Sequence, residues 1–393
     1  MKITKFQDFH ADGGWRTLSF LKVTTDDRIV GWSEFSEGRS TPGLTEVIRA
    51  LGSHVVGDDP CNTSRLNAKL YGMARTTSGG LMSQAVAAIE NACLDIKAKS
   101  LGVRVSDLFG GSQRDRLPLY WSQCGTLRVR YPDLFASPAV RTLEDLSDLG
   151  REAAQSGFRA LKTNILLFGR EGASNYQAGF GSGAGHPALN VDPPLLRAIE
   201  ASIGAFRNGA GPDMDLLLDL NCNVKPEGAR QIAKMLEPYR LMWIEYDLHD
   251  PKSLTWIRHS TTIPIAALET VYGRRGLRPY LEQNSVDVVI IDPQWNGMSE
   301  AVLMAAMADS FEVNVAIHNY YGHLSTLIGA HFASVIPNLR ITEYVVDEAP
   351  WVKSFFTHPL QIDGGTLALP DRAGWGTDID EAAVRARPAR RVF

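Results

Sequence analysis

Apolar and polar positions alternate along the first 40 residues, in MKITKF, RTLSFLKVTT and RIVGWSEF, and this period of two predicts strands. Asp26–Asp27 and the glycine-containing breaks divide them into a three-stranded antiparallel meander. From Thr45 to Leu108 the period becomes helical, most clearly in LMSQAVAAIENACLDIKAKSLG, which is rich in Ala and Leu and stops at Gly102. Residues 1–115 therefore read as an α+β domain. Strand-like and helical stretches then alternate over residues 116–350. The predicted strands are 117–123, 158–166, 215–221, 241–247, 264–269, 286–292, 313–319 and 339–345. Eight strands in roughly 230 residues match the size of one βα barrel, an α/β fold. Residues 351–393 are loop-rich and are expected to return to the first domain. Residues 168–190 are rich in glycine and break the rhythm, predicting a mobile loop over the barrel mouth.

Each apolar run in the second half ends near a residue able to do chemistry. LLLDL carries Asp219, MWIEY Glu245, IPIAALE Glu269, VVIID Asp292 and VNVAIH His318. The gaps between them are 26, 24, 23 and 26 residues, whereas one strand with its return helix takes roughly 25–30. One such residue thus falls on each βα unit, at the strand ends where barrels carry their chemistry. Three carboxylates in a row make an oxygen-rich site for a hard divalent cation. The Asp and His that follow make a polarised general base, the carboxylate fixing the imidazole tautomer.

Composition narrows the remaining classes. A chain of 393 residues is long for one domain. Its 44% hydrophobic and 21% charged residues are ordinary for a soluble enzyme. A net charge of −4 leaves no footprint for nucleic acid or an anionic membrane. No apolar run reaches the ~18 residues of a membrane span, and the N-terminus lacks a signal-peptide core. Cys61, Cys93, Cys124 and Cys222 have no CxxC spacing, as expected for reduced thiols in a cytoplasmic protein.

ENACLDIKAKSLGVRVSDLFGG (90–111), LKTNI (161–165) and the runs DLN, WIE, ALE, IDP and IHN occur in this order. In these the chain resembles the enolase superfamily, in its mandelate racemase and muconate-lactonising branch, over nearly its whole length. The resemblance implies a modified (β/α)7β TIM-like barrel. Its α+β cap would be formed from the N-terminal segment and the C-terminal tail. It further implies one Mg²⁺ per subunit on Asp219, Glu245 and Glu269, and a His318–Asp292 dyad. Lys162 would face the substrate carboxylate or the enediolate. A small-molecule carboxylate is the implied substrate, and a homo-oligomer the implied assembly. His249, His259, His323 and His331 lack a partner in the pattern and read as structural or surface residues.

Departures from the family pattern refine the chemistry. Racemising relatives carry Lys-x-Lys on the second strand, whereas this chain has Lys162 and Asn164. Asn164, an expected substrate contact, cannot titrate, so His318 is the one evident base, and β-elimination fits better than racemisation. The expected activity is a Mg²⁺-dependent acid-sugar (aldonate or aldarate) dehydratase giving a 2-keto-3-deoxy acid. The alternatives are other enolate chemistry (cycloisomerase, racemase or epimerase) or a catalytically silent metal-binding relative. A His that stands two residues past the first metal ligand in one dehydratase relative is Asn221 here, and Asn221 is an expected substrate contact. Glu343, on the last strand, matches a substrate-contacting acid. Tyr246 stands where Glu is common and offers a phenol to a sugar hydroxyl. DFHADGGWR (8–16) corresponds to the substrate-selecting loop; His10, Trp15 and Arg16 are its candidates, with Arg16 suited to a second carboxylate.

Overall fold

The alternating N-terminal segment forms β1 (Ile3–Asp12), β2 (Thr17–Thr25) and β3 (Val30–Phe35), an antiparallel meander in sequential order. This is seen in a computed structural model, which describes residues 1–170, 172–180 and 190–390. Helices Leu44–Ser53, Thr63–Met73 and Gly80–Leu101 follow. Leu21, Val23 and Phe35 of the sheet share one core with Ile48, Leu51, Ile89 and Ile96 of the helices. That shared core is where the burial that stabilises this layer lies.

The alternating second half closes into a barrel. Its strands are β4 (Arg116–Ser122), β5 (Ala160–Asn164), β8 (Asp215–Asp219), β9 (Trp243–Glu245), β10 (Ile265–Ala267), β11 (Val288–Ile291), β12 (Asn314–Ile317) and β13 (Leu339–Val345). All eight neighbouring pairs are parallel, and β13 pairs with β4 to close the ring. Between β5 and β8, strands β6 (Leu166–Gly169) and β7 (Gly172–Asn175) form a separate hairpin. The main return helices are Leu143–Gln155, Pro193–Ala210, Pro226–Leu236, Pro251–Arg258, Gly273–Glu282, Met298–Asp309 and His323–Val335. The architecture is thus a (β/α)7β barrel with an α+β cap.

For residues 168–170 and 172–175 the hairpin corrects the expectation of a loop. The Tyr176 amide and the Asn175 side chain both donate to the Ile165 carbonyl, fastening the hairpin to the end of β5. Glu171 and residues 181–189 lie outside the described residues. The C-terminal tail also differs in part. Strands β14 (Ile362–Asp363) and β15 (Thr366–Ala368) extend the barrel sheet, β15 lying antiparallel to the start of β4. Farther on, Trp375 reaches the cap: its amide donates to Asp95 and its indole N–H to the Trp32 carbonyl.

The ENACLD segment docks the cap on the barrel. Glu90 and Asn91 accept from the Ser299 and Met298 amides, satisfying donors at the start of the Met298–Asp309 helix. Asn91 also donates to the Pro293 carbonyl. Glu34 of β3 accepts from the Gly322 and Ser325 amides, at the N-terminus of the helix that follows β12. The cap is therefore hydrogen-bonded directly to the segments that carry Asp292 and His318.

His331 fastens a third junction. The Ser106 amide donates to its Nδ1, and its Nε2–H faces the Trp375 carbonyl at 3.4 Å. Burial in this neutral form lowers its pKa from 6.5 to about 4, partly opposed by the Trp375 carbonyl. The unfolded chain therefore binds the extra proton first as pH falls. The contribution is complete above pH ~6.5 and lost towards pH 4, on the order of 3 kcal/mol in total. Urea unfolding from pH 7 to 4 should show this loss, and His331→Gln should flatten it.

Candidate active site

Strand parity builds the site. Tyr120, Ala160, Leu217, Trp243, Ala266, Val288, Ile290, Ala316 and Ile341 form an apolar plug inside the barrel. Moving two residues along a strand restores the same inward face. That step reaches Ser122, Lys162, Asp219, Glu245, Asp292, His318 and Glu343. A polar floor thus lies directly above the plug, and over it opens a cavity of about 760 Å³. Pairing of Asn164 with Asp219, and of Asp219 with Glu245, sets those three residues level on adjacent strands.

His318 is held by its Nδ1, 2.7 Å from Asp292. Asp292 is fully buried and also accepts from the Tyr321 hydroxyl at 2.7 Å and the Gln294 and Trp295 amides. These contacts fix Nδ1 as the protonated nitrogen and turn Nε2 towards the site, 3.4 Å from Glu269. Burial alone would lower the imidazole pKa. The hydrogen bond and charge of Asp292, with Glu343, outweigh it and raise the value to about 9. Trp295 and Tyr320 wall the ring, with centroids 5.1 and 5.2 Å away.

Lys162 sits among carboxylates. Its Nζ lies 2.9 Å from both oxygens of Glu245, 3.1 Å from Glu343 and 3.9 Å from Asp219. Burial opposes its charge, but Glu245 and Glu343 more than compensate and hold it as an ammonium. Glu343 also accepts from the Ser122 hydroxyl and the Asn319 amide. Burial would raise the Glu343 pKa, but Lys162 and His318 bring it down to about 2.

Asp219 and Glu269 behave oppositely. Burial, then the charge of Glu245, pushes Asp219 well above the carboxylate range; burial and Asp247 do the same to Glu269. Among the described residues, no three His, Cys, Asp or Glu side chains converge as a ready-made metal cluster. The donor chemistry nevertheless fits a hard divalent cation: buried, mutually repelling carboxylates with oxygen donors are what such an ion would neutralise. Asp219, Glu245 and Glu269 would hold it.

Glu269 reaches the cavity by a different route from its neighbours. With Ala266 facing inward, residue 268 should be the next inward position. Leu268 instead has φ +90°, a left-handed conformation unusual for a bulky residue, and packs in the outer core with Ala267. The turn presents Glu269 to the cavity instead. Asn221 is also left-handed, at φ 49°, which Asn tolerates. Its amide and side chain both donate to Asp219. Asn164 donates to Asp219 and Asn221 and accepts from the Thr126 hydroxyl.

Two expected contacts are corrected. Tyr246 has outward parity: it is buried and its hydroxyl donates to the Val224 carbonyl, away from the cavity. His10 is held by Ser19 and Asp8 and does not line the cavity. Arg16 and Trp15 do line it. Arg16 donates to the Tyr320 carbonyl and to Ser36, beneath a shell of aromatic rings. Sequence reasoning missed Asp247, which shares the inward parity of Glu245, and Tyr320 and Trp295 beside the dyad residues. His249, read as structural or surface, stands exposed at the cavity wall beside Thr270. Asn175, Gln177 and Phe180, from the hairpin and the turn after it, also line the cavity.

The Leu268 conformation gives an inverted size rule. In an ordinary buried site Leu→Val costs less than Leu→Ala. Here a β-branched residue meets the additional left-handed penalty, about 1–3 kcal/mol. Leu268→Val should therefore be at least as destabilising as Leu268→Ala in denaturant unfolding. A clear ranking the other way would remove strain from the account of Glu269.

The family model "Enolase C-terminal domain-like" matches residues 145–383, and "Mandelate racemase / muconate lactonizing enzyme, N-terminal domain" matches residues 13–110. A D-xylonate dehydratase of Haloferax volcanii is 28% identical over 98% of this chain and 88% of its own length. A D-galactonate dehydratase of Ralstonia pickettii is also 28% identical, over 98% and 94%. A crystal structure from Burkholderia xenovorans, provisionally described as an L-alanine-DL-glutamate epimerase, is 43% identical with TM-score 0.97, covering 100% of this chain and 97% of that one. That structure is bound to magnesium and fumarate. With the barrel, the cap and both matched regions in agreement, the chain belongs to the mandelate racemase and muconate-lactonising branch of the enolase superfamily.

Proposed function

We propose that this protein is a Mg²⁺-dependent acid-sugar dehydratase, removing the proton α to a carboxylate and expelling the β-hydroxyl to give a 2-keto-3-deoxy acid. Dehydratases among its relatives and magnesium in a related structure support the reading. The observation that carries it is the pairing of one polarised imidazole with a non-titrating Asn164. The Asn164 amide donates to Asp219 and Asn221, while its carbonyl accepts from Thr126, so its polar atoms are committed to structure. The epimerase description of the Burkholderia protein favours a second reading, transfer of the proton between faces. That chemistry needs a second acid or base, and Lys162 is the one lysine among the described residues lining the cavity.

When bound, Mg²⁺ supplies Lewis-acid stabilisation of the charge that develops on the substrate carboxylate. Asp219, Glu245 and Glu269 would hold it. His318 Nε2 takes the α-proton, with Nδ1 kept on Asp292 so that the accepting nitrogen cannot switch. The Lys162 ammonium supplies a buried positive charge for the enediolate oxygens. His318 then returns the proton to the departing hydroxyl, which leaves as water, and the enol becomes the keto acid. The first step uses the neutral imidazole, with Nδ1–H on Asp292 and Nε2 free, and the imidazolium formed there is the acid of the second. Asn221 and Glu343, at the cavity wall, are substrate contacts in this reading.

A stereochemically complete panel of aldonates and aldarates, incubated with Mg²⁺, should give 2-keto acid from at least one member. His318→Asn should lower that rate by about 10²–10⁴-fold while leaving Mg²⁺ binding by calorimetry within a few-fold. EDTA should abolish turnover and Mg²⁺ restore it. Full activity in His318→Asn would discard the dyad, and insensitivity to EDTA would discard the metal.

A further inference from the structure

The cavity has two chemically different ends. Acids, Lys162 and His318 make its floor, whereas Arg16, Arg39, Arg130 and Arg390 stand on segments around its rim. These segments meet at one loop, residues 12–17. Arg16 bonds Ser36, three residues before Arg39. Arg390 pairs with Asp12 at 2.9 Å. Gly14 packs so closely on Leu134, four residues beyond Arg130, that an added Cβ would stand 3.1 Å from it.

Among the described residues the rim carries more positive charge than it neutralises. Asp12 is taken by Arg390 and the Gly14 amide, and Glu37 by the Gly43 and Thr45 amides and the Thr45 hydroxyl. Arg39 and Arg130 pair with no carboxylate among the described residues, and both are exposed. Among the described residues Arg16 has only neutral hydrogen-bond partners, and its Nε is buried without one. Glu34 is the acid whose charge acts on Arg16, and its own oxygens are held by the Gly322 and Ser325 amides. Guanidinium groups left unpaired beside a cavity are complementary to a carboxylate, which they can bind in bidentate fashion. At about 760 Å³ the cavity has room for an extended sugar chain between floor and rim.

We propose that the rim is a subsite for a second carboxylate, so that the substrate is a diacid sugar spanning the cavity, with Arg39 and Arg130 as specificity-determining residues alongside Arg16. This rests on the reading above that the floor takes the reacting carboxylate. The negatively charged far end would also be drawn in by the exposed arginines before it docks.

The test compares matched pairs, each aldarate with the aldonate of the same configuration, by calorimetry on the Mg²⁺-loaded protein. For at least one configuration the aldarate should bind about tenfold or more tightly, a difference of roughly 1.4 kcal/mol. Arg39→Met with Arg130→Met should reduce the ratio to about twofold, with an unchanged melting temperature because both side chains are exposed. Equal affinities throughout, or a preference untouched in the double variant, would overturn the subsite. An aldonate phosphorylated at its far end that binds more tightly than every aldarate would overturn the diacid assignment. Keto-acid formation is followed separately: a diacid preference without turnover supports the subsite and sinks only the dehydratase reading. Turnover of aldonates without any diacid preference sinks only the subsite.

Discussion

Lys162 donates to both oxygens of Glu245 and lies 3.1 Å from Glu343, with Asp219 at 3.9 Å. One buried ammonium is thus shared by carboxylates from three other strands. Breaking one partner out of a buried ion pair costs about 3–5 kcal/mol, because the charge left behind stays desolvated. This cluster therefore keeps the inward-facing acids of the floor together. Glu343, held ionised by Lys162, in turn accepts the Asn319 amide and helps raise the basicity of His318. The same acids that make the floor costly to fold make it receptive to a cation.

The cap completes what the barrel begins. Asp292 sits on a segment tied to the long cap helix through Asn91, and His318 precedes the helix whose N-terminus Glu34 satisfies. Gly322 is required at that second contact: a Cβ there would lie 2.8 Å from the Glu34 carboxylate. The dyad is thereby positioned by the junction of two domains, and the outer wall of the cavity comes from cap loops and the C-terminal segment.

Period-two patterning made most of the floor legible in the sequence. Asp219, Glu245, Asp292 and His318 each lie two residues beyond an apolar plug residue, so spacing and parity agree. Glu269 was legible by spacing alone, because the left-handed Leu268 that turns it inward breaks the parity rule. Tyr246 was misplaced, and Asp247 overlooked, for the complementary reason: parity sends Tyr246 outward to Val224 and Asp247 inward. The β6–β7 hairpin was read as a loop because LLFG and GASN carry little alternation, their order coming from bonds to Ile165. Arg39 and Arg130 lie on connecting segments, where no periodicity reports direction. Their place at the cavity rim follows from packing around residues 12–17.

The central claim is that a single imidazole serves the α-carbon, so the proton removed is followed by loss of water. Reaction of the preferred acid sugar in D₂O, followed by NMR, tests it most directly. The account predicts a 2-keto acid carrying deuterium at C3, with unreacted substrate keeping its original C2 configuration. Accumulation of the C2 epimer bearing deuterium at C2, without loss of water, would contradict it.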